Sequence, residues 1–395
     1  MVTKRLIPPV HNSFDFLSHL RWIAALVVVL SHIHQDVLLE KGFVPEHNVI
    51  PTGLVAKHLF RLEGFGHAAV VVFFVLSGFL VGGKLIDLVK SSDIHKAWPK
   101  FLADRVARIF VVLWPALLLS GIVFVGLMLF APEAPFVKSG NWAFDLIGPI
   151  SDDSHFSRWA GVAVLLNEFI VPTAQTNSAL WSLAYEWFYY IFGLAAVLTF
   201  RRVFSAGALL VIFYGAALMM LSLLNQADVA FSGLLWLCGV AARIVFNHAV
   251  LHGVSSRLAG IAAVLAVLVM DKFHPLPDIA LGAALALMLA HVAWGQWHFF
   301  GVLGERLAGF SYSLYTTHFP VMLASMGILY RLGYLPHPLP RNKFALALSV
   351  LVLVNTIVVA RVFAYFTEDR TRIVRDALLA LGSRRALLKT RSALE

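Results

Sequence analysis

The stretch FLSHLRWIAALVVVLSHIHQDVLL, residues 16–39, decides the fold of this 395-residue chain. It is long enough to cross a bilayer as one helix, yet its apolar run contains Arg21 and His32. Eleven residues at about 100° each make little more than three turns, so both side chains share one helix face, about 16 Å apart. An ionisable side chain inside a bilayer is costly and indicates function. An arginine near the boundary can also simply extend to the headgroups.

The composition favours a membrane protein, because 59% of the residues are hydrophobic and only 13% are charged. The net charge of +9 does not indicate nucleic-acid binding, since the cations are scattered between apolar runs. The one cysteine, Cys238, excludes an internal disulfide. The N-terminal residues 1–9 lead into the first run without a cleavage-site pattern, so we expect that span to be retained.

Ten apolar runs predict an all-α fold, a polytopic transmembrane helix bundle of about ten spans. The runs are residues 16–39, 67–86, 107–130, 179–199, 204–224, 229–247, 257–270, 278–294, 309–330 and 344–366. We expect one transmembrane domain over residues 1–366 and a basic tail over residues 367–395. Lys and Arg concentrate in alternate loops and in the tail, so the positive-inside rule places both termini in the cytoplasm. The tail would contact membrane lipid.

Three ionisable residues are predicted to lie at similar depths in three different spans. His32 lies near the outer end of the first run, Glu186 seven residues into the fourth, and His318 near the middle of the ninth. We therefore expect these three side chains to border one polar cavity. A histidine beside a carboxylate is a competent proton acceptor, because the carboxylate sets its tautomer. Asp36, one turn after His32, is an alternative carboxylate partner.

Arginines are predicted to meet at the inner side of the bundle. Arg105 and Arg108 are three residues apart and share a helix face at the start of the third run, and Arg21 enters at the same level. Guanidinium groups bind polyanions bidentately, so the three would suit a phosphate-rich donor. For Arg105 and Arg108 alone, anchoring at the cytoplasmic boundary explains the pattern equally well.

Five motifs in order make the chain similar to the acyltransferase-3 family of integral membrane O-acyltransferases. They are Arg21 with His32 after ten intervening residues, FFVLSGFL (73–80), RVAR (105–108), ALWSLAYEWF (179–188) and SYSLYTTHFP (311–320). The resemblance implies transfer of an acyl group, usually acetyl from acetyl-CoA, to a hydroxyl of a sugar or glycoconjugate. It also implies a bacterial cytoplasmic membrane.

The resemblance also implies roles for particular residues. His32 would be the essential base, with Arg21 coupled to it or binding the donor, and Arg105 and Arg108 would meet the donor's phosphates. Ser77 is either a nucleophile or a small residue at a close helix contact. Direct transfer and an acyl-enzyme both remain open, as does the identity of the acceptor. Some relatives carry a fused extracytoplasmic domain, so a separate partner outside the membrane is a further alternative to action alone.

Two other functions compete with the enzyme. A proton-coupled transporter or exporter of a polar solute would use the same intramembrane His, Glu and Arg, although the chain shows no two related halves. A non-catalytic scaffold would hardly need such groups. His248 and His252 have the spacing of metal ligands but lack an accompanying Glu or Cys, so we expect no metal site.

Overall fold

The structure is a computed structural model. It describes residues 15–37, 65–138, 149–225, 227–248, 254–271, 278–291, 301–334 and 343–392, at some helix ends through the backbone alone. The regular secondary structure of these segments is helical and includes no β-strand, which confirms the predicted all-α class.

The helices follow the apolar runs and the loops between them. In chain order they are α1 (Asp15–Val37), α2 (Gly66–Ser77), α3 (Gly83–Val89), α4 (Ile94–Phe130), α5 (Pro135–Lys138), α6 (Phe156–Ala163), α7 (Trp181–Phe200), α8 (Ala206–Asn225), α9 (Ala227–Asn247), α10 (Val254–Asp271), α11 (Asp278–Leu289), α12 (Gly301–Ala308), α13 (Ser311–Arg331), α14 (Lys343–Phe366) and α15 (Thr371–Ser392). A π-helical turn, Gly78–Gly82, joins α2 to α3. Short 3-10 turns lie at Ile150–Ser154, Gln175–Leu180 and Glu368–Arg370.

Seven helical segments among the described residues are long and apolar enough to cross a membrane. They are Phe16–Ile33, Gly66–Val89, Ile94–Phe130, Gln175–Phe200, Ala206–Leu224, Asp228–Asn247 and Leu346–Leu381. Two shorter apolar helices, α10 and α11, accompany them. Large apolar side chains such as Leu118, Leu129 and Leu223 are exposed on these helices, as expected for a surface that faces lipid. The chain is a multi-pass membrane protein, while the number of ten spans and their orientation stay predictions.

Two glycines allow α2 and α9 to cross with their backbones in contact. A Cβ atom on Gly78 would collide with the carbonyl oxygen of Trp236, and one on Gly239 would collide with that of Val75. Only a residue without a side chain fits at such a crossing. The Ser77-Gly78 pair therefore serves close helix packing through its glycine, and the π-helical turn begins at this crossing.

Helix α13 packs against α1, α4 and α14 and carries Pro320 in its interior. Proline has no N–H, so the carbonyl of Thr316, four residues earlier, lacks its usual helical donor. Asn177 Nδ2 donates to that carbonyl at 2.9 Å and to the Ser120 hydroxyl of α4 at 3.1 Å. The turn Gln175–Leu180 is thereby fixed to two helices, and this contact sets where α7 begins.

Candidate active site

A cavity of about 130 Å³, hereafter the arginine cavity, lies between α1, α2, α4, α7 and α13. It brings Arg21 of α1 together with Arg105 and Arg108 of α4. Hydroxyls and one carboxylate complete its polar lining. The polar lining residues are Arg21, Ser77, Arg105, Arg108, Ser182, Glu186, Tyr190, Ser311, Tyr312 and Tyr315.

Arg108 is held by partners within the protein. Its Nη2 lies 3.6 Å from Glu368 Oε1, and its guanidinium lies 5.4 Å from the centre of the Tyr312 ring. The Glu368 side chain is only 7% exposed. It also accepts hydrogen bonds from the backbone N–H and the hydroxyl of Ser313 at 2.9 and 3.0 Å. The charge of Arg108 is therefore largely balanced by a buried carboxylate.

Arg21 and Arg105 differ from Arg108 because each has a donor atom that the protein does not satisfy. The Nε atoms of both, and the hydroxyl of Tyr312, are buried and have no hydrogen-bond partner among the described residues. Buried polar atoms are normally bonded, and an unmade bond costs about 1–3 kcal/mol. Three such atoms around one cavity indicate that a polar ligand completes them.

Glu186 faces the arginine cavity and accepts a hydrogen bond from the hydroxyl of Tyr190, one turn further along α7. The Ser77 hydroxyl donates to the same tyrosine oxygen at 3.2 Å, and the Arg105 guanidinium lies 5.8 Å from the centre of that ring. The sequence suggests Glu186 as a partner of His32. The structure gives its carboxylate a different described partner, Tyr190.

His32 and His318 form a second group, the histidine pair. His32 Nδ1 lies 2.9 Å from His318 Nε2, and the two rings are nearly parallel with centroids 5.1 Å apart. His318 Nδ1 lies 2.7 Å from the backbone carbonyl oxygen of Tyr315. The side chain of Asp36, the alternative partner, lies outside the described residues, although its backbone belongs to the last turn of α1.

These two contacts determine the proton positions in the neutral histidine pair. A carbonyl oxygen only accepts, so His318 donates to Tyr315 from Nδ1, and its Nε2 is then an acceptor. His32 must therefore donate from Nδ1 to that acceptor. Its remaining nitrogen, Nε2, carries the free lone pair. The pair thus presents His32 Nε2 as its basic atom.

An apolar layer lies between Arg21 and His32 along α1, because Ala24 and Val28 come between them on the same face of the helix. It consists of Ala24, Val28, Ala69, Ala179 and Tyr315. The Tyr315 hydroxyl lies 2.5 Å from the Ser182 hydroxyl, which fixes the aromatic ring in this layer. The sequence predicts one cavity bordered by His32, Glu186 and His318. In the described part of the chain, Glu186 lines the arginine cavity, whereas His32 and His318 are not among its lining residues.

Sequence reasoning assigns no role to Tyr312, Tyr315 or Glu368. The two tyrosines are three residues apart in a predicted helix, so a helical wheel would have placed both on one face. Glu368 follows the last apolar run and has no comparable signal. His248 is exposed, and His252 lies outside the described residues. Within the described segments, no group of three or more His, Cys, Asp or Glu is placed to hold a metal ion.

The fold and the site define a multi-pass membrane protein with an internal arginine-lined cavity and a buried pair of histidines. A family model described as an acyltransferase domain matches residues 14–364, and the chain belongs to this acyltransferase-3 family. It is 28% identical over 226 residues to an O-acetyl transferase of Shigella phage Sf6. The aligned region covers 57% of this chain and 57% of that protein. The chain therefore aligns with little more than half the length of that relative. No solved structure was found to match it.

Proposed function

We propose that this protein is a membrane O-acyltransferase. It moves an acyl group, acetyl in the simplest case, from cytoplasmic acetyl-CoA or another acyl-CoA to a hydroxyl of a sugar or glycoconjugate at a bacterial cytoplasmic membrane. Membership of the family and similarity to the O-acetyl transferase of the phage support the reaction class. One observation carries the proposal: unsatisfied arginine donors lie one layer away from a histidine that presents a free lone pair.

The arginine cavity suits the phosphate-bearing end of the donor. Guanidinium groups match phosphate oxygens with paired donors, and Arg21 and Arg105 have donor atoms to complete. The eleven-residue step from Arg21 to His32 spans about 16 Å along α1. This length is comparable to the pantetheine arm of coenzyme A. Phosphates bound at Arg21 would therefore place the thioester near His32.

The histidine pair supplies the proton transfer. His32 Nε2 accepts the proton of the acceptor hydroxyl as its oxygen attacks the thioester carbonyl carbon. The C–S bond breaks, and the departing thiolate of coenzyme A recovers the proton from His32. His318 orients His32 through the Nδ1 contact and stabilises the imidazolium that forms. A general base of this kind contributes about 10²–10⁴-fold to the rate.

The acceptor would approach the histidine pair from the side opposite the arginine cavity. The apolar layer around Tyr315 lies between the two groups, so the acyl arm must cross it while bulk water stays excluded from the thioester. A glycan carried by membrane lipid fits this direction of approach. A separate extracytoplasmic partner could then deliver or receive the glycan.

The test uses the purified full-length protein in nanodiscs, radiolabelled acetyl-CoA and a membrane glycan extract. We expect release of free coenzyme A with label on the glycan, and a loss of about 10²–10⁴-fold in His32→Gln. His67→Gln is the matched control, because His67 is exposed, bonds Asp278 and does not line the arginine cavity. Full activity in a folded His32→Gln variant would remove the assignment of the base. Solute flux without loss of the thioester would replace the enzyme by a transporter.

A further inference from the structure

A second pocket, hereafter the mouth pocket, adjoins the arginine cavity and has a volume of about 380 Å³. Arg21 and Leu80 line both spaces, so the two are contiguous at these residues. The mouth pocket extends from Arg21 toward Leu17 and Ser18, which precede it on α1. This direction leads away from His32.

The mouth pocket is cationic. Arg21, Lys84 and Arg243 line it together with one carboxylate, that of Asp87. Three positive charges against one negative charge leave an excess of two. Such an excess favours an anionic ligand, and Lys84 and Arg243 keep a net positive charge beside Asp87 when Arg21 binds another part of that ligand.

Arg243 is held in a fixed position above aromatic rings. Its guanidinium carbon lies 5.4 Å from the centre of the Phe79 ring and 5.6 Å from that of Phe246. A Cβ atom on Gly83 would lie 2.8 Å from Arg243 Cγ and 3.0 Å from its Nε. The glycine therefore leaves the space in which the arginine lies along α3. A cation fixed in this way loses little freedom when it binds an anion.

We propose that the mouth pocket binds the 3′-phosphate of coenzyme A through Lys84 and Arg243, and that it discriminates the donor from its 3′-dephospho form. The inference rests on the proposed function, because it requires the donor's diphosphate at Arg21. A diphosphate held there with its thioester toward His32 leaves the nucleotide on the Leu17 side. The adjoining cationic space lies on that side and matches a phosphate monoester, which carries close to two negative charges.

The test compares coenzyme A with 3′-dephospho-coenzyme A, by calorimetry on the full-length protein in nanodiscs of neutral lipid. We expect the wild type to bind coenzyme A at least about tenfold more tightly, because charge-assisted hydrogen bonds to one phosphate are lost in the dephospho form. Lys84→Gln and Arg243→Gln should each weaken coenzyme A toward the affinity of the dephospho form and leave the latter unchanged. Gly83→Ala keeps every charge but displaces the Arg243 side chain, so it should give a smaller loss of the same kind.

Lys96→Gln is the matched control, since Lys96 is an exposed cation that pairs with Asp93 and lines neither space. Equal affinity of the wild type for the two ligands would overturn the inference, and this comparison needs no variant. Equal weakening of both ligands by Lys84→Gln or Arg243→Gln would also overturn it. If these variants instead carry less phosphatidylglycerol from cells through purification, with the preference for coenzyme A intact, the pocket holds a lipid phosphate and the inference is wrong. Failure of the wild type to bind either ligand would contradict the proposed function itself.

Discussion

The arginine cavity and the histidine pair satisfy their polar groups in opposite ways. In the cavity, Arg21 and Arg105 keep buried Nε atoms without a partner among the described residues. In the histidine pair, three of the four ring nitrogens are hydrogen-bonded within the protein. The difference separates two tasks. Donor atoms without a partner are available to an anionic ligand, whereas an imidazole that is already oriented needs no reorganisation before it accepts a proton.

Among these variants, the largest loss of activity is expected at His318. Substitution by Asn or by Gln should keep one of its two hydrogen bonds and remove the other. Asn can place an amide nitrogen near the Nδ1 position and keep the contact with the Tyr315 carbonyl, but it is too short to reach His32. Gln can place its oxygen near the Nε2 position and accept from His32. We expect kcat to fall about 100-fold in His318→Asn and about tenfold or less in His318→Gln, with the KM for acetyl-CoA unchanged.

Steady-state kinetics of the two variants measures this difference, and ¹⁵N NMR of labelled histidine reports the tautomer of His32 directly. Equal losses in both variants would show that His318 acts through packing alone. A proton on His32 Nε2 in the neutral wild type would contradict the orientation of the base.

The next largest effect is expected on the KM for acetyl-CoA, in variants of the two arginines whose Nε atoms have no partner among the described residues. Arg21→Met and Arg105→Met keep most of the side-chain volume and remove the charge and the donors. A hydrogen bond to a charged group is worth about 1.5–3 kcal/mol, so we expect the KM for acetyl-CoA to rise about 10–100-fold with kcat changed much less. Initial rates over a range of donor concentrations provide the test. An unchanged KM in both variants would exclude phosphate binding at this cavity.

Arg108 is expected to behave differently from Arg21 and Arg105, because it already forms an ion pair with Glu368. Arg108→Met leaves the buried Glu368 carboxylate without its cation, at a cost of about 1–3 kcal/mol in the free energy of unfolding. We expect a lower Tm and only a few-fold rise in the KM for the donor. Glu368→Gln is the complementary variant, since it removes the charge that Arg108 balances. A KM effect as large as that of Arg21→Met with an unchanged Tm would contradict this division of roles.

The smallest effect is expected in the apolar layer between the two groups. Tyr315→Phe removes the hydroxyl that contacts Ser182 and donates to the Ala179 carbonyl, but it leaves the ring and the backbone contact with His318 in place. We expect kcat to change by about threefold or less, at the lower end of the effect of one neutral hydrogen bond. Ser182→Ala should behave in the same way. A hundredfold loss in Tyr315→Phe would instead assign the hydroxyl a part in the chemistry.

The position of a residue along its helix could be predicted from the sequence, but the side of the helix bundle on which it lies could not. The first run, 16–39, corresponds to α1, and the run 309–330 corresponds to α13. Counting residues along these runs places His32 and His318 at compatible depths, and they do meet. Counting cannot tell on which side of the bundle Glu186 lies, because that depends on how the helices pack around one another.

The partner of Arg108 illustrates the same limit. Glu368 follows the last apolar run, where a carboxylate normally faces solvent. Its burial depends on the turn Glu368–Arg370, which places it against Ser313, a residue 55 positions earlier. No local pattern in the sequence carries a contact of that range. The family motifs nevertheless mark the segment SYSLYTTHFP, which holds Tyr312, Tyr315 and His318.

Tyr315 belongs to both halves of the site through different atoms, its ring through the lining of the arginine cavity and its carbonyl through His318. The geometry of α13 fixes the position of the His318 imidazole relative to the Tyr315 ring. A single residue inserted between Tyr315 and His318 would turn the imidazole by about 100° around the axis of α13 and separate it from that carbonyl. In a chimaera with another protein, the four residues from Tyr315 to His318 would therefore have to be exchanged as one block.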